Sequence, residues 1–368
     1  MGCMTSWYSL PAARDWICRP SPGDARAFHQ SLPGYSPTPL VPVPELAAEL
    51  GVGRLLVKDE SSRLGLPAFK VLGASWASRQ VLQRHPGAML VTATDGNHGR
   101  AVARMAAHFG VGATVFVPVV MLPEIAARIV DEGAKVVWVD GDYNDAVRCA
   151  ADFAGDQPGR ALVQDTAWAG YEQVPAWIVQ GYQTLLDEID TQLGGAPDLV
   201  AVPVGVGSLA EAVVRHYRRP GAAHPSVLSV EPDTAACVLA SLTAARSTTV
   251  ATAATVMAGL NCGTVSRSAW PVLRAGCDAA VAVSDEDALR AVADLGRAGV
   301  SSGPSGAAAL AGARAALTEP VRRVALDLDD DAVVVLLSTE GHSHDRDQRN
   351  GPGPARRPGP HRLGQSRP

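Results

Sequence analysis

Lysine is rare in this chain. Of its 32 basic Lys and Arg residues only Lys58, Lys70 and Lys135 are lysine. Lys70 lies between Phe69 and Val71 in the stretch SRLGLPAFKVLGAS, Ser62 to Ser75, which has almost no other charge. Arginine keeps its proton in a protein, whereas a desolvated lysine can release one and become a nucleophilic amine. The competing reading is a lysine that snorkels its ammonium out of an apolar patch.

Other stretches offer partners for such an amine. In TATDGNHGRAVA, Thr92 to Ala103, a strand is expected to end at Thr94. The turn Asp95-Gly96-Asn97-His98-Gly99 follows, and then a helix begins. Strand ends of α/β sheets present ligand-binding groups there, and the helix start offers unpaired N–H groups to an anion. The alternative is a tight turn in which Asp95 caps the helix. In VPVGVGSLAEAV, Val202 to Val213, Gly205 and Gly207 let the backbone approach a ligand, and Ser208 adds a hydroxyl. That loop is too short for a Walker A motif and lacks its lysine, and it does not complete a dinucleotide fingerprint. A small phosphate-bearing ligand suits it, unless the turn is structural. Ser338 and Thr339 end the apolar run of LLSTEGHSHD, and Asp165 ends a shorter one in LVQDTAWAGYE, as a base or as the start of the next helix. His98, His342 and His344 lack the acidic company of a metal site, so no metal is expected.

A lysine, a phosphate-sized glycine loop, an Asn-bearing turn and a strand-end hydroxyl would all be used by one cofactor. It would carry an aldehyde, a phosphate, a phenolic oxygen and a ring nitrogen. Pyridoxal phosphate is that cofactor.

These residues must be positioned by regular elements. RLLVKDE, AMLVTATDG, ATVFVPV, AKVVWVDG, DLVAVPVGVG, SVLSVEP and DAVVVLLSTEG read as buried parallel strands. Between them HGRAVARMAAHFG, LPEIAARIVDEGA, DYNDAVRCAADFA and SLAEAVVRHYRR repeat their apolar residues at helical spacing. Alternating strand and helix predict an α/β protein with mainly parallel sheets flanked by helices. The long helix within YEQVPAWIVQGYQTLLDEIDTQLGG, Tyr171 to Gly195, reads as the crossing between two sheet systems.

At 368 residues with 47% hydrophobic content the chain suits two domains. The expected division is a large domain of residues 1–75 and 186–345 and a small domain of residues 76–185. Residues 346–368, rich in Pro, Gly and Arg, read as a disordered tail. A net charge of −5 without a basic cluster speaks against nucleic acid or an anionic membrane. No apolar run is long enough to span a bilayer, and the N-terminus lacks the pattern of a signal peptide. Six cysteines with no CxxC pair point to a reducing, cytoplasmic setting.

Taken in order, KDESSRLGLPAFKVLGAS, ATDGNHGRAVA, QDTAWAGYEQVPAWIVQGY, VPVGVGSLA, AGLNCG and STEG resemble the fold type II pyridoxal-phosphate enzymes, the tryptophan synthase β-like group. The likeness runs from about Pro39 to Gly341. ATDGNHGR and QDTAWAGYE narrow it to the diaminopropionate ammonia-lyases, since related dehydratases usually carry Ser or another small residue in place of Asp95.

The resemblance implies a Schiff base at Lys70 and a hydrogen bond from Asn97 to the cofactor's phenolic oxygen. It assigns the phosphate to Gly205, Val206, Gly207, Ser208 and Leu209, and the pyridine nitrogen to Ser338 or Thr339. Thr94, Asp95 and Asp165 would meet the substrate. Lys70 would be the base for the L substrate and Asp95 for the D substrate, with Asp165 on the distal amine. The implied reaction is α,β-elimination of 2,3-diaminopropionate through aminoacrylate to pyruvate and two ammonia, in a homodimer. A threonine or serine dehydratase, or a non-catalytic homologue that binds the cofactor, are the alternatives. The chain departs from the family pattern at Ser301, where an acid is common, and after Glu340-Gly341, where the usual continuation is lost.

Overall fold

A strand buried on both faces must be apolar at consecutive positions, and the valine-rich runs meet that condition. In the computed structural model, which describes residues 6–19, 23–94, 96–155 and 157–341, they form two sheets. The strands are β1 (Trp7–Ser9), β2 (Leu40–Pro42), β3 (Arg54–Asp59), β4 (Met89–Ala93), β5 (Ala113–Pro118), β6 (Lys135–Val139), β7 (Arg160–Leu162), β8 (Leu199–Pro203), β9 (Ser226–Pro232), β10 (Ala279–Val283) and β11 (Val333–Ser338). All seven runs expected to be strands contribute one. The tail expected at residues 346–368 lies outside the described residues.

The larger sheet has the order β1-β10-β9-β8-β11-β3-β2, parallel except for the short outer strands β1 and β2. The smaller sheet, β6-β5-β4-β7, is wholly parallel. Each sheet contains one point where the order of strands reverses. In the larger sheet β8, β9 and β10 run outward on one side while β11 and β3 lie on the other. In the smaller, β4, β5 and β6 run one way and β7 pairs on the opposite flank of β4. Loops leaving the carboxyl ends of the two strands at such a point diverge to opposite faces and leave a crevice. The loops that matter are therefore those after β8, β11, β4 and β7.

Helices cover both faces of the larger sheet. Val200, Val202 and Val204 of β8 and its extension pack with Ala210, Val213 and Val214 of the Ser208–Tyr217 helix. Leu199 and Ala201, pointing the other way, pack with Ala307, Leu310 and Ala311 of the Pro304–Leu317 helix. That last helix was not legible beforehand, because it is buried nearly all round and so lacks an amphipathic stripe. The Gln173–Leu193 helix carries the chain from β7 to β8, as expected of the crossing, and packs along the Lys70–Arg84 helix. Among the described residues no helix is long and apolar enough to cross a membrane.

Four charged side chains lie buried between β3 and the Gln173–Leu193 helix. Glu188 accepts from Lys58 Nζ at 2.7 Å and from both terminal nitrogens of Arg63, each at 2.7 Å. Arg63 also grips Glu60, with Nε to Oε2 at 2.8 Å and Nη2 to Oε1 at 2.6 Å. Burial would raise the Glu188 carboxyl, but its bonds to Arg63 and the charges of Arg63 and Lys58 hold it down at about 2. Two cations and two anions cancel, so the cluster tolerates burial only as a complete set. Removing Glu188 (Glu188→Ala) strands Lys58 and Arg63, and urea unfolding should show a loss of roughly 3–5 kcal/mol. A loss under about 1 kcal/mol would contradict this account of the cluster.

Candidate active site

The crevices of the two sheets meet in one cavity of about 720 Å³. Its walls include Lys70, Thr94, Asn97, His98, Asp165, Gly205 to Leu209, Thr339 and Glu340. The topology brings together nearly every residue singled out from the sequence. Asp95 lies outside the described residues.

Lys70 opens the Lys70–Arg84 helix, and its side chain is 22% exposed. Its Nζ donates to Asp165 Oδ2 at 2.6 Å, with the Phe69 ring centroid 5.5 Å away. The apolar surroundings expected for this amine are therefore incomplete. Asp165, beyond the end of β7, supplies a counter-charge that sequence distance hid. Burial would raise the Asp165 carboxyl, but the charge of Lys70 and the bond from Lys70 hold it well below the usual carboxylate range. The expectation that Asp165 meets a distal amine of the substrate must accommodate this: its carboxylate already holds Lys70.

The Asp165 loop is fixed from both sheets. Its carbonyl accepts Ser208 Oγ at 2.7 Å. Gln164 inserts its amide into the end of β4, accepting from Ala93 N at 2.9 Å and Thr92 Oγ1 at 3.0 Å. The Tyr171 hydroxyl accepts from Gln164 N at 2.8 Å and donates to the Leu162 carbonyl at 3.0 Å. His98 is buried, and burial lowers its pKa. Its Nε2 lies 2.8 Å from the Val163 carbonyl, which can only accept, so Nε2 carries the proton. Nδ1 then faces Asp165 Oδ2 at 3.9 Å without a hydrogen. Among the described residues no group of three His, Cys, Asp or Glu side chains is arranged to hold a metal ion.

After β8 the loop Gly205 to Ser208 turns directly into the Ser208–Tyr217 helix, whose first-turn N–H groups have no acceptor within the helix. Gly207 has φ of 97°, where a side chain is strained, and a Cβ there would lie 3.0 Å from Leu273 Cδ1. A Cβ on Gly205 would meet Cys262 Sγ and the Gly259 carbonyl, both at 3.1 Å. Gly207 is thus required by the backbone path that bares these donors, and Gly205 leaves little room for a side chain. They form a cradle for an anion the size of a phosphate.

The other two walls are set by Asn97 and the end of β11. Asn97 starts the Asn97–His108 helix and donates from Nδ2 to Glu340 Oε2 at 2.8 Å. Thr94 turns its hydroxyl to accept Gly96 N at 2.9 Å. Ser338 is buried with its Oγ donating to Ser302 Oγ at 2.8 Å, so Thr339 is the hydroxyl that lines the cavity. Glu340 was missed in the sequence, where it reads as one more polar residue after a strand. Its carboxyl is pushed upward by burial.

The geometry suits pyridoxal phosphate: an anion cradle, an amine, an amide donor and a hydroxyl line one cavity. The chain belongs to the family of pyridoxal-phosphate-dependent enzymes, whose model matches residues 32–340. It is 37% identical over 350 residues to the diaminopropionate ammonia-lyase of Escherichia coli strain K12, covering 86% of this chain and 87% of that protein. The diaminopropionate ammonia-lyase of Salmonella typhimurium strain LT2 is 34% identical over 358 residues, again covering 86% and 87%. Among solved structures, the Escherichia coli lyase in complex with an aminoacrylate-PLP azomethine reaction intermediate superposes with a TM-score of 0.80. It shares 36% identity and covers 88% of this chain and 89% of its own. The two-sheet architecture is the fold type II arrangement of pyridoxal-phosphate enzymes.

The Asp165 charge stabilises the native state at neutral pH, because its folded pKa is lowered. That contribution is complete above the unfolded carboxylate pKa of about 4 and shrinks as the pH falls below it. Asp165→Asn should therefore destabilise the protein most near pH 7, with the gap to the parent narrowing in acid. Urea unfolding at neutral and acid pH measures it, and a gap independent of pH would contradict the ion-pair assignment.

Proposed function

We propose that this protein is a pyridoxal-phosphate-dependent ammonia-lyase that converts 2,3-diaminopropionate and water to pyruvate and two ammonia. The observation that carries the reading is the cavity itself: Lys70 and a phosphate-sized cradle line one space where the crevices of both sheets meet. Its likeness to diaminopropionate ammonia-lyases over most of the chain supports the substrate.

Gly205, Val206, Gly207, Ser208 and Leu209 would hold the phosphate, Asn97 the phenolic oxygen and Thr339 the ring nitrogen. Ser338, the other candidate for that position, gives its hydroxyl to Ser302 instead. When bound, pyridoxal phosphate would supply an electron sink at the α-carbon of an amino acid, the chemistry that lets a β-substituent leave. Lys70 Nζ would take the α-proton from the L substrate, and the Asp95 carboxylate would take it from the D substrate. Thr94, which lines the cavity, would meet the substrate. Asp165 orients Lys70 and adds negative charge that favours a second ammonium over a hydroxyl. The smaller sheet would belong to the small domain of residues 76–185, and the larger sheet to the large domain of residues 1–75 and 186–345. Cysteines 18, 149, 237, 262 and 277 are free thiols, which suits a cytoplasmic enzyme. A homodimer completes the reading on family resemblance.

The test is release of pyruvate by the purified protein from D- and L-diaminopropionate, serine and threonine. Diaminopropionate should be the preferred substrate; preference for serine or threonine would make it a dehydratase. Lys70→Ala should remove the visible band of lysine-bound cofactor and lower kcat by at least about 10³-fold. Retention of the band would overturn the assignment of Lys70. Asp95→Asn should depress turnover of the D isomer about tenfold more than that of the L isomer, a ratio that steady-state kinetics reads directly. Equal losses would sink the two-base scheme.

A further inference from the structure

Glu340 is a carboxylate on the cavity wall that the lyase reading does not use. Its position is built rather than incidental. Its backbone pairs with Ala68 in an isolated bridge, its carbonyl accepts Gly303 N at 3.0 Å, and the adjacent Gly341 N donates to the Pro67 carbonyl at 2.9 Å. Glu340 is thereby clamped between the loop that ends in Lys70 and the start of the Pro304–Leu317 helix. Gly303 makes room for the side chain, since a Cβ there would lie 2.9 Å from Glu340 Oε1.

The remaining oxygen, Oε2, accepts Asn97 Nδ2 at 2.8 Å. Glu340 follows β11 of the larger sheet and Asn97 follows β4 of the smaller one, so this bond crosses the cavity. An asparagine amide presents an oxygen on one side and two N–H groups on the other, with nearly the same shape either way round. A carboxylate can only accept, so it determines which end of the amide faces it. One N–H of Asn97 is committed to Glu340, and the second N–H of the same nitrogen is left to point elsewhere from a residue that lines the cavity.

The geometry points to Glu340 as the positioning residue that sets the Asn97 amide with an N–H toward the cofactor's phenolic oxygen. This inference rests on the cofactor reading above and adds a residue to it. It also makes the Asn97 contact contingent on the two sheets standing at the right separation, because the partners belong to different sheets.

A double-mutant cycle on the full-length protein tests it. Pyridoxal phosphate is titrated into apoprotein and its dissociation constant read from the visible band. Glu340→Ala should weaken binding about tenfold, the size of one lost charge-assisted hydrogen bond. Glu340→Gln, whose Oε1 can still accept from Asn97, should restore most of that loss. In an Asn97→Ala background, Glu340→Ala should add little further loss. Equal loss with and without Asn97, or a Gln variant as weak as the Ala variant, would overturn the positioning role while leaving the lyase reading intact. A parent protein that shows no visible band with pyridoxal phosphate would remove both. Circular dichroism of each variant separates misfolding from loss of binding, and the Gln variant keeps the bulk of the side chain if the Ala variant fails to fold.

Discussion

The ion pair between Lys70 and Asp165 joins the two halves of the site. Lys70 is delivered by the loop that leaves β3 of the larger sheet, Asp165 by the loop that leaves β7 of the smaller. At 2.6 Å the pair holds two loops whose residues are 95 positions apart in the chain. Ser208 donates to the Asp165 carbonyl from the glycine loop after β8, so loop, acid and amine form one connected unit. A charged pair at such a junction is worth more than a surface pair, because Asp165 is buried and little water competes for it.

The loop carrying Lys70 is itself restrained from behind. Arg63 is seven residues ahead of Lys70 and is locked to Glu60 and to Glu188 on the crossing helix. Lys58 completes the charge balance from β3. Such a cluster adds less to stability than an apolar core of the same volume would, yet it admits few alternative arrangements. Directional bonds on both sides of Glu188 fix the register between the crossing helix and the loop before Lys70. The Lys70 amine is thus held in front by Asp165, and its loop behind by buried charge.

Parallel sheets explain why a single cavity collects so many distant residues. Every strand of the smaller sheet, and five of the larger, release their loops at the carboxyl edge. Where the strand order reverses, those loops part and leave space. Two such points facing one another give four converging loops, and each supplies a different chemical group: an anion cradle, a hydroxyl with a carboxylate, an amide and an acid. An enzyme of this class needs all of these around one planar cofactor.

Much of this was legible in the chain alone. Valine-rich runs marked the long strands, because a doubly buried strand has no choice but to be apolar. The rarity of lysine marked Lys70, and paired glycines before a helix marked the cradle, because those local conformations exclude most other residues. The short strands β1, β2 and β7 and the Ala-rich β10 carried too little pattern to be seen. The Pro304–Leu317 helix, apolar on every side, had no periodicity to read. What the sequence by itself determined was the set of groups and the local turns that present them. Tertiary structure alone decided their pairing: that Asp165 meets Lys70, that Glu340 meets Asn97, and that Thr339 rather than Ser338 lines the cavity. Those outcomes depend on distances between segments far apart in the chain, and hydrogen bonds a few ångströms long leave no trace in the order of residues.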